Sequence, residues 1–147
     1  MGLPETDPQA IATLAAKTLW ATDRAAQTLG IEILAVGPGT ATLVMTIGKD
    51  MVNGHDTAHG GFIFSLADTA FAYACNSRGH VTVAAHCDIT FIRPGRRGAR
   101  LIAEAREVSR IGRSGIYDVC ISAEGEVIAE FRGHSRTVGG WFLPKDA

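Results

Sequence analysis

One charged side chain stands between His59 and Arg78, and it is Asp68. It interrupts the run from Phe62 to Cys75, which is apolar almost all round a helical wheel. Propensity gives no reason for an aspartate there, because its carboxylate competes for nearby backbone N–H groups. Burying a carboxylate is costly unless it is paired or neutralised. Held in a dry cleft it is poorly solvated, and it can then act as a base or a nucleophile. The plainer reading is a helix-surface aspartate, or one bonded to neighbouring backbone.

His59-Gly60-Gly61 opens the same run. Two residues without Cβ let a ligand approach the main chain closely. The first N–H groups of a helix lack intrahelical acceptors and lie at the positive end of its dipole. Together these can polarise a carbonyl, although Gly-Gly alone also suits a plain turn before a helix. Gly60 and Asp68 are eight positions apart, or roughly 12 Å along a helix at about 1.5 Å per residue. A nucleophile and an oxyanion donor must both lie about 3 Å from one reacting centre. One helix cannot supply both. If both are used, they meet across two copies of the chain, through antiparallel central helices.

The other reactive residue types point elsewhere. His55 and His59 mimic metal-ligand spacing, but Asn53-Gly54 and Gly60-Gly61 bracket them. No helical face aims both rings, and no third ligand is near in sequence, so no metal is expected. His59 is expected to order the loop by hydrogen bonding, and His80, His86 and His134 to be structural or exposed. Cys75, Cys87 and Cys120 are odd in number and lack C-x-x-C spacing. They read as small buried side chains in a reducing compartment, which makes the cytoplasm the expected location. No nucleophile elbow, P-loop or dinucleotide fingerprint occurs.

These residues need a frame. Residues 8–28 read as a helix with an apolar stripe of Leu14, Ala15, Thr18 and Leu19, capped by Asp7 with Pro8 at its first position. Gly30 breaks it. Strands follow around Ile31–Ala35 and Ala41–Ile47, joined by the turn Gly37-Pro38-Gly39. Gly48 to His59 is a loop, and then comes the central helix, ended by Asn76-Ser77-Arg78-Gly79. Val81 to Ile92 alternates, with Val81, Val83, Ala85, Cys87, Ile89 and Phe91 on one face, until Pro94-Gly95 stops it. Strands at Leu101–Val108, Gly115–Ala123 and Val127–Val138 complete the chain, and a loosely held tail is expected over residues 140–147. One buried helix and about six antiparallel strands suggest an α+β sheet wrapped round a helix. A cystatin-like or ferredoxin-like arrangement is the competitor.

With 147 residues, 46% hydrophobic and 20% charged, the chain makes one globular domain. A net charge of −1 argues against a general electrostatic grip on nucleic acid. No apolar run reaches the roughly 18 residues of a membrane span. Met1 to Pro8 holds Glu5 and Asp7 with no basic residue or apolar stretch, so no secretory leader is expected.

The run Asn53-Gly54-His55-Asp56, followed by His59-Gly60-Gly61 and by Phe64-Ser65-Leu66-Ala67-Asp68-Thr69-Ala70-Phe71-Ala72-Tyr73-Ala74-Cys75-Asn76-Ser77, resembles the PaaI-type hotdog acyl-CoA thioesterases of phenylacetate degradation. Phe91-Ile92-Arg93-Pro94-Gly95, Gly115-Ile116-Tyr117-Asp118 and Phe131-Arg132-Gly133 agree with it. The likeness runs from Leu14 to Gly140. It implies a hotdog fold over residues 1–147, in which a long central helix is wrapped by an antiparallel sheet. It implies homodimers with a continuous sheet and shared active sites, paired into homotetramers. It also implies hydrolysis of acyl-CoA without a metal or cofactor, coenzyme A being part of the substrate. By the same likeness Asp68 is nucleophile or general base, and the Gly60 N–H, with that of Gly61, polarises the carbonyl. Asn53 and His59 position the carbonyl or the loop. Thr69, Arg93, Pro94 and Arg96 join Gly61 as candidate substrate-binding residues. The arginines, with Arg97 and Arg100, suit nucleotide phosphates, though a solvated face explains them equally well. The implied substrate is phenylacetyl-CoA or a ring-hydroxylated relative. The alternative is a non-catalytic acyl-CoA-binding hotdog protein, and Asp68 counts against it, since binding alone needs no buried carboxylate.

Overall fold

The computed structural model describes residues 7–145. Residues 1–6, most of the segment in which no leader is expected, and the last two residues of the tail lie outside the described residues.

The expected first helix is two helices. Helix α1 spans Pro8–Trp20 and α2 spans Arg24–Thr28. Asp7 caps α1, its side chain accepting from the N–H groups of Gln9 and Ala10. Asp23 causes the break: its carboxylate accepts from the Ala26 N–H and starts α2. Its other oxygen accepts from the Tyr73 hydroxyl at 3.1 Å. An aspartate that can cap a new helix and tie down a distant tyrosine does both better than it continues an old helix. The buried face of α1 is Ala12, Ala15 and Ala16, so small residues set its packing, with Leu19 at the margin.

Strands β1 (Glu32–Gly37), β2 (Thr40–Thr46), β3 (His80–Phe91), β4 (Arg100–Ile111), β5 (Ser114–Ala123) and β6 (Glu126–Trp141) form one antiparallel sheet. Their order is β1-β2-β4-β5-β6-β3. The chain leaves the sheet after β2, runs through helix α3 (Gly60–Cys75), and returns as β3 at the far edge. Helix α3 lies across the concave face, with Leu66, Ala67, Ala70 and Phe71 at most 1% exposed. The motifs after α3 explain themselves here. Phe131 and Tyr117 flank the Phe71 ring at centroid distances of 5.8 and 5.7 Å. Gly133 makes room for that ring, since a Cβ there would lie 2.7 Å from it. On the outer face Arg132 pairs with Asp118 through Nε–Oδ1 at 2.6 Å, and Arg106 approaches the same carboxylate.

Two further expectations need correction. The six alternating residues of β3 do not share a face. The register with β6 shifts between Ala84 and His86, so a bulge at Ala85 swaps the faces. Thr82 is buried and Val83 is 45% exposed, while Cys87 and Ile89 pack against the core. Nor is the tail loose as far as it is described. Strand β6 continues to Trp141, the Phe142 N–H donates to the Gly79 carbonyl, and Leu143 is buried. Gly79 has φ +89, and the Trp141 ring fills the space its missing Cβ leaves. The loop 48–59 contains one 3-10 turn, Lys49–Met51.

Candidate active site

The loop before α3 is built by Asn53. Its side-chain Oδ1 accepts from the His55 N–H at 2.9 Å, the Thr57 N–H at 3.2 Å and the Thr57 hydroxyl at 3.1 Å. Asparagine offers one carbonyl oxygen on a short arm, which suits a tight turn of this kind. The loop is pinned from two sides. The His59 N–H donates to the Met51 carbonyl, and the Ala58 N–H donates to the Gly95 carbonyl, both at 2.8 Å. Thr57 bridges to Arg96. The Pro94-Gly95 stop after β3 is thus the support on which the start of α3 rests.

His59 is the N-cap of α3. Its Nδ1 accepts from the Gly61 N–H at 3.0 Å, so in the neutral ring the proton sits on Nε2. A Cβ on Gly61 would stand 3.2 Å from that Nδ1. The Gly61 N–H is therefore engaged, whereas the Gly60 N–H has no acceptor among the described residues. Of the two glycines, Gly60 alone presents an open donor at the positive end of the helix.

Gly60 opens on a cleft of about 340 Å³. Ala58 and Ile63 form one wall, and Phe91, Ile92, Arg93 and Pro94 the other. Arg93 is half spent: its Nη1 donates to the Val127 carbonyl at 2.6 Å, and its Nε lies 3.9 Å from Glu126. The Arg96 side chain is exposed and makes no ion pair among the described residues, and Arg97 lies 3.9 Å from Asp56. Sequence reasoning gave Phe91 no role. Its signals were its place at the end of a strand and at the head of the Phe91–Gly95 run that carries the family likeness.

Asp68 lies elsewhere on the helix. With Gly61, Ser65, Thr69 and Ala72 it forms the outer stripe of α3, which the sheet does not cover. Asp68 is half-buried and has no hydrogen bond or ion pair among the described residues. Burial pushes its pKa above 3.8. Burial raises the thiol pKa values of Cys75 and Cys87, and the Asp68 charge adds to the rise in both. Thr69 donates its hydroxyl to the Ser65 carbonyl at 2.6 Å, so only its lone pairs face outward. Asn53, His59, Gly60, Arg93 and Pro94 are thus brought to one end of α3, with Asp68 and Thr69 two turns away. Among the described residues no three His, Cys, Asp or Glu side chains converge as a ligand set.

The helix laid across the sheet thus carries two groups of use in cleaving an acyl bond, a solitary carboxylate at mid-helix and an open N–H at its start. The chain belongs to the thioesterase superfamily, whose family model matches residues 55–130. It is 44% identical over 126 residues to the acyl-coenzyme A thioesterase PaaI of Escherichia coli, spanning 85% of this chain and 90% of that one. The structure of the E. coli PaaI protein from the phenylacetic acid degradation operon superposes with a TM-score of 0.90 over 92% of this chain and 99% of that one. A mutant structure of the phenylacetic acid degradation protein PaaI from Thermus thermophilus is 39% identical, with a TM-score of 0.77 over 79% of this chain and all of that one. The fold is the expected α+β hotdog, and the enzyme class is thioester hydrolase.

Proposed function

We propose that this enzyme hydrolyses phenylacetyl-CoA, or a ring-hydroxylated relative, to the free acid and coenzyme A. The observation that carries the mechanism is a pair of groups on α3 without partners among the described residues: the Gly60 N–H and the half-buried Asp68. The thioester carbonyl accepts from Gly60, and charge developing on its oxygen is stabilised by the helix dipole. Asp68 attacks the carbonyl carbon, expelling the CoA thiolate and leaving an anhydride that water hydrolyses, or it takes the proton of a water whose attack expels that thiolate, which is protonated as it leaves. Both routes need Asp68 about 3 Å from the reacting atoms, which one chain does not allow.

The second copy supplies it. Edge strand β3 is 12 residues long and open on one side, with Val81, Val83 and Phe91 exposed. A long apolar edge favours pairing with another strand. Two copies joined along β3 extend the sheet and bring the outer stripes of their α3 helices together antiparallel, so that Gly60 of one faces Asp68 of the other. We read the assembly as a homodimer that pairs into a homotetramer. Asn53 and His59 hold the loop that aims Gly60, Arg96 meets the nucleotide phosphates, and a backbone donor with a carboxylate leaves no step for a metal or cofactor. No helix of the described residues is long and apolar enough to cross a membrane. Three free cysteines fit a reducing compartment and support a cytoplasmic location.

Thiol release from a panel of acyl-CoA thioesters, before and after dialysis against a strong chelator, tests this. Release is expected from arylacetyl-CoA and should survive dialysis. Tight binding without release would make the protein an acyl-CoA carrier. Loss of activity that zinc restores would overturn the metal-free mechanism.

A further inference from the structure

We propose that two copies pair along β3 in a single register, with Ile89 on the two-fold axis, so that Phe91 lies opposite the partner's Cys87 and its ring screens the partner's Asp68 from water. The inference rests on the shared-site reading above. Helix α3 and strand β3 run side by side in opposite directions, and contacts pin them at both ends. At the start of α3, a Cβ on Gly60 would lie 3.0, 3.4 and 3.5 Å from three atoms of the Phe91 ring. Just past its end, the Asn76 side chain exchanges two hydrogen bonds with the Thr82 main chain, both at 2.9 Å. Asp68 is halfway from Gly60 to Asn76, and the core-facing residue halfway from Phe91 to Thr82 is Cys87. The spacings agree: eight helical residues rise about 12 Å, and four strand residues about 13 Å.

A two-fold axis that brings Gly60 level with the partner's Asp68 therefore brings Phe91 level with the partner's Cys87 and passes through Ile89. Cys87, Ile89 and Phe91 share the helix-facing side of β3, as residues directly opposite in an antiparallel pair must. Ile92 donates its N–H to the Ile128 carbonyl on β6 at 2.8 Å, so alternation turns the main-chain groups of those three residues to the open edge. Ile89 also lies about midway along the regular stretch between the bulge at Ala85 and Pro94. Paired in this way, the half-exposed Phe91 ring closes the seam beside a carboxylate that has no partner among the described residues. The titratable groups around that carboxylate are the thiols of Cys75 and Cys87 in its own chain, with His59 and Arg93 beside the facing Gly60. Removing the ring leaves all four in place.

Crosslinking reads the register without any need for activity. With a short bis-alkylating thiol reagent, Phe91→Cys should give a covalent dimer that is lost in Phe91→Cys/Cys87→Ala. Ile89→Cys/Cys87→Ala should give one through the residue on the axis. The wild type should give none, because Cys87 and the partner's Cys87 stand about 13 Å apart along the seam. Kinetics read the screen. Phe91→Ala hydrates the carboxylate and makes it a weaker base, so kcat should fall severalfold and its acid limb should move to lower pH. In a purified heterodimer of Asp68→Asn with Phe91→Ala, the one live site joins Asp68 of one chain to Phe91 of the other. It should keep the wild-type acid limb at about half the wild-type kcat. An unshifted limb in Phe91→Ala, a heterodimer with the Phe91→Ala profile, or no covalent dimer from either cysteine variant overturns the proposal. So does a Phe91→Cys dimer that survives the loss of Cys87. A wild type that is monomeric sinks the shared-site reading, and one that releases no thiol sinks the thioesterase reading, whereas crosslinks in another register sink this proposal alone.

Discussion

Asp68 sets stability against the chemistry proposed for it. Burial raises its pKa, so the folded chain holds the proton more tightly than the unfolded chain does. The stability its protonated form contributes is fully present below the unfolded pKa of about 3.9 and is lost as pH rises through the folded value. At neutral pH its charge is therefore a cost. Asp68→Asn should raise Tm at pH 7, with the gain shrinking as pH falls through the folded pKa and gone below the unfolded one. The same variant should lose about 10²-fold or more in kcat. Thermal melts across pH and thiol-release kinetics read the two effects. A variant with near wild-type kcat would remove Asp68 from the reaction. In the wild type, the acid limb of the rate profile should be shifted upward from that of an ordinary aspartate.

At the scale of elements, the decisive feature is how α3 begins. His59 satisfies the Gly61 N–H and leaves that of Gly60 open. His59→Ala removes the cap and should cost about 1 kcal/mol. His59→Asn restores a side-chain acceptor, and its stability should return to within a few tenths of a kcal/mol. Urea titrations measure both, and equal losses in the two variants would show that the ring packs rather than caps. Edge strand β3 is the second decisive element. Its bulge turns Val81 and Val83 outward and keeps Cys87 and Ile89 inward, so one strand serves both the core and an open edge.

For the whole molecule, the roughly 12 Å between Gly60 and Asp68 is why we propose that function belongs to two chains. Asp68→Asn and Gly60→Leu should each be inactive, the second because its side chain enters the Phe91 ring. Co-refolded, they should form mixed dimers in which one site is intact and the other carries both lesions. About half of a random mixture is mixed, so roughly a quarter of wild-type activity should return. Confirmed heterodimers without recovered activity would place the whole site within one chain.

The strand and helix periods, the Pro-Gly and Asn-Gly stops, and the anomaly of Asp68 were all legible in the sequence, because each is a local preference written in neighbouring residues. So was the hotdog likeness, which the family match bears out. Where sequence reasoning failed, a distant partner had decided. Asp23 broke the first helix because it both starts a new one and accepts from Tyr73, fifty positions away in the chain. The bulge in β3 reversed a clean alternation because register against β6 is set by the whole sheet. The tail is held by Gly79, and a Cβ on Gly60 would crowd the Phe91 ring. Only the fold could choose which of two adjacent glycines keeps an open N–H, since that depends on where a histidine ring and a distant strand end come to rest.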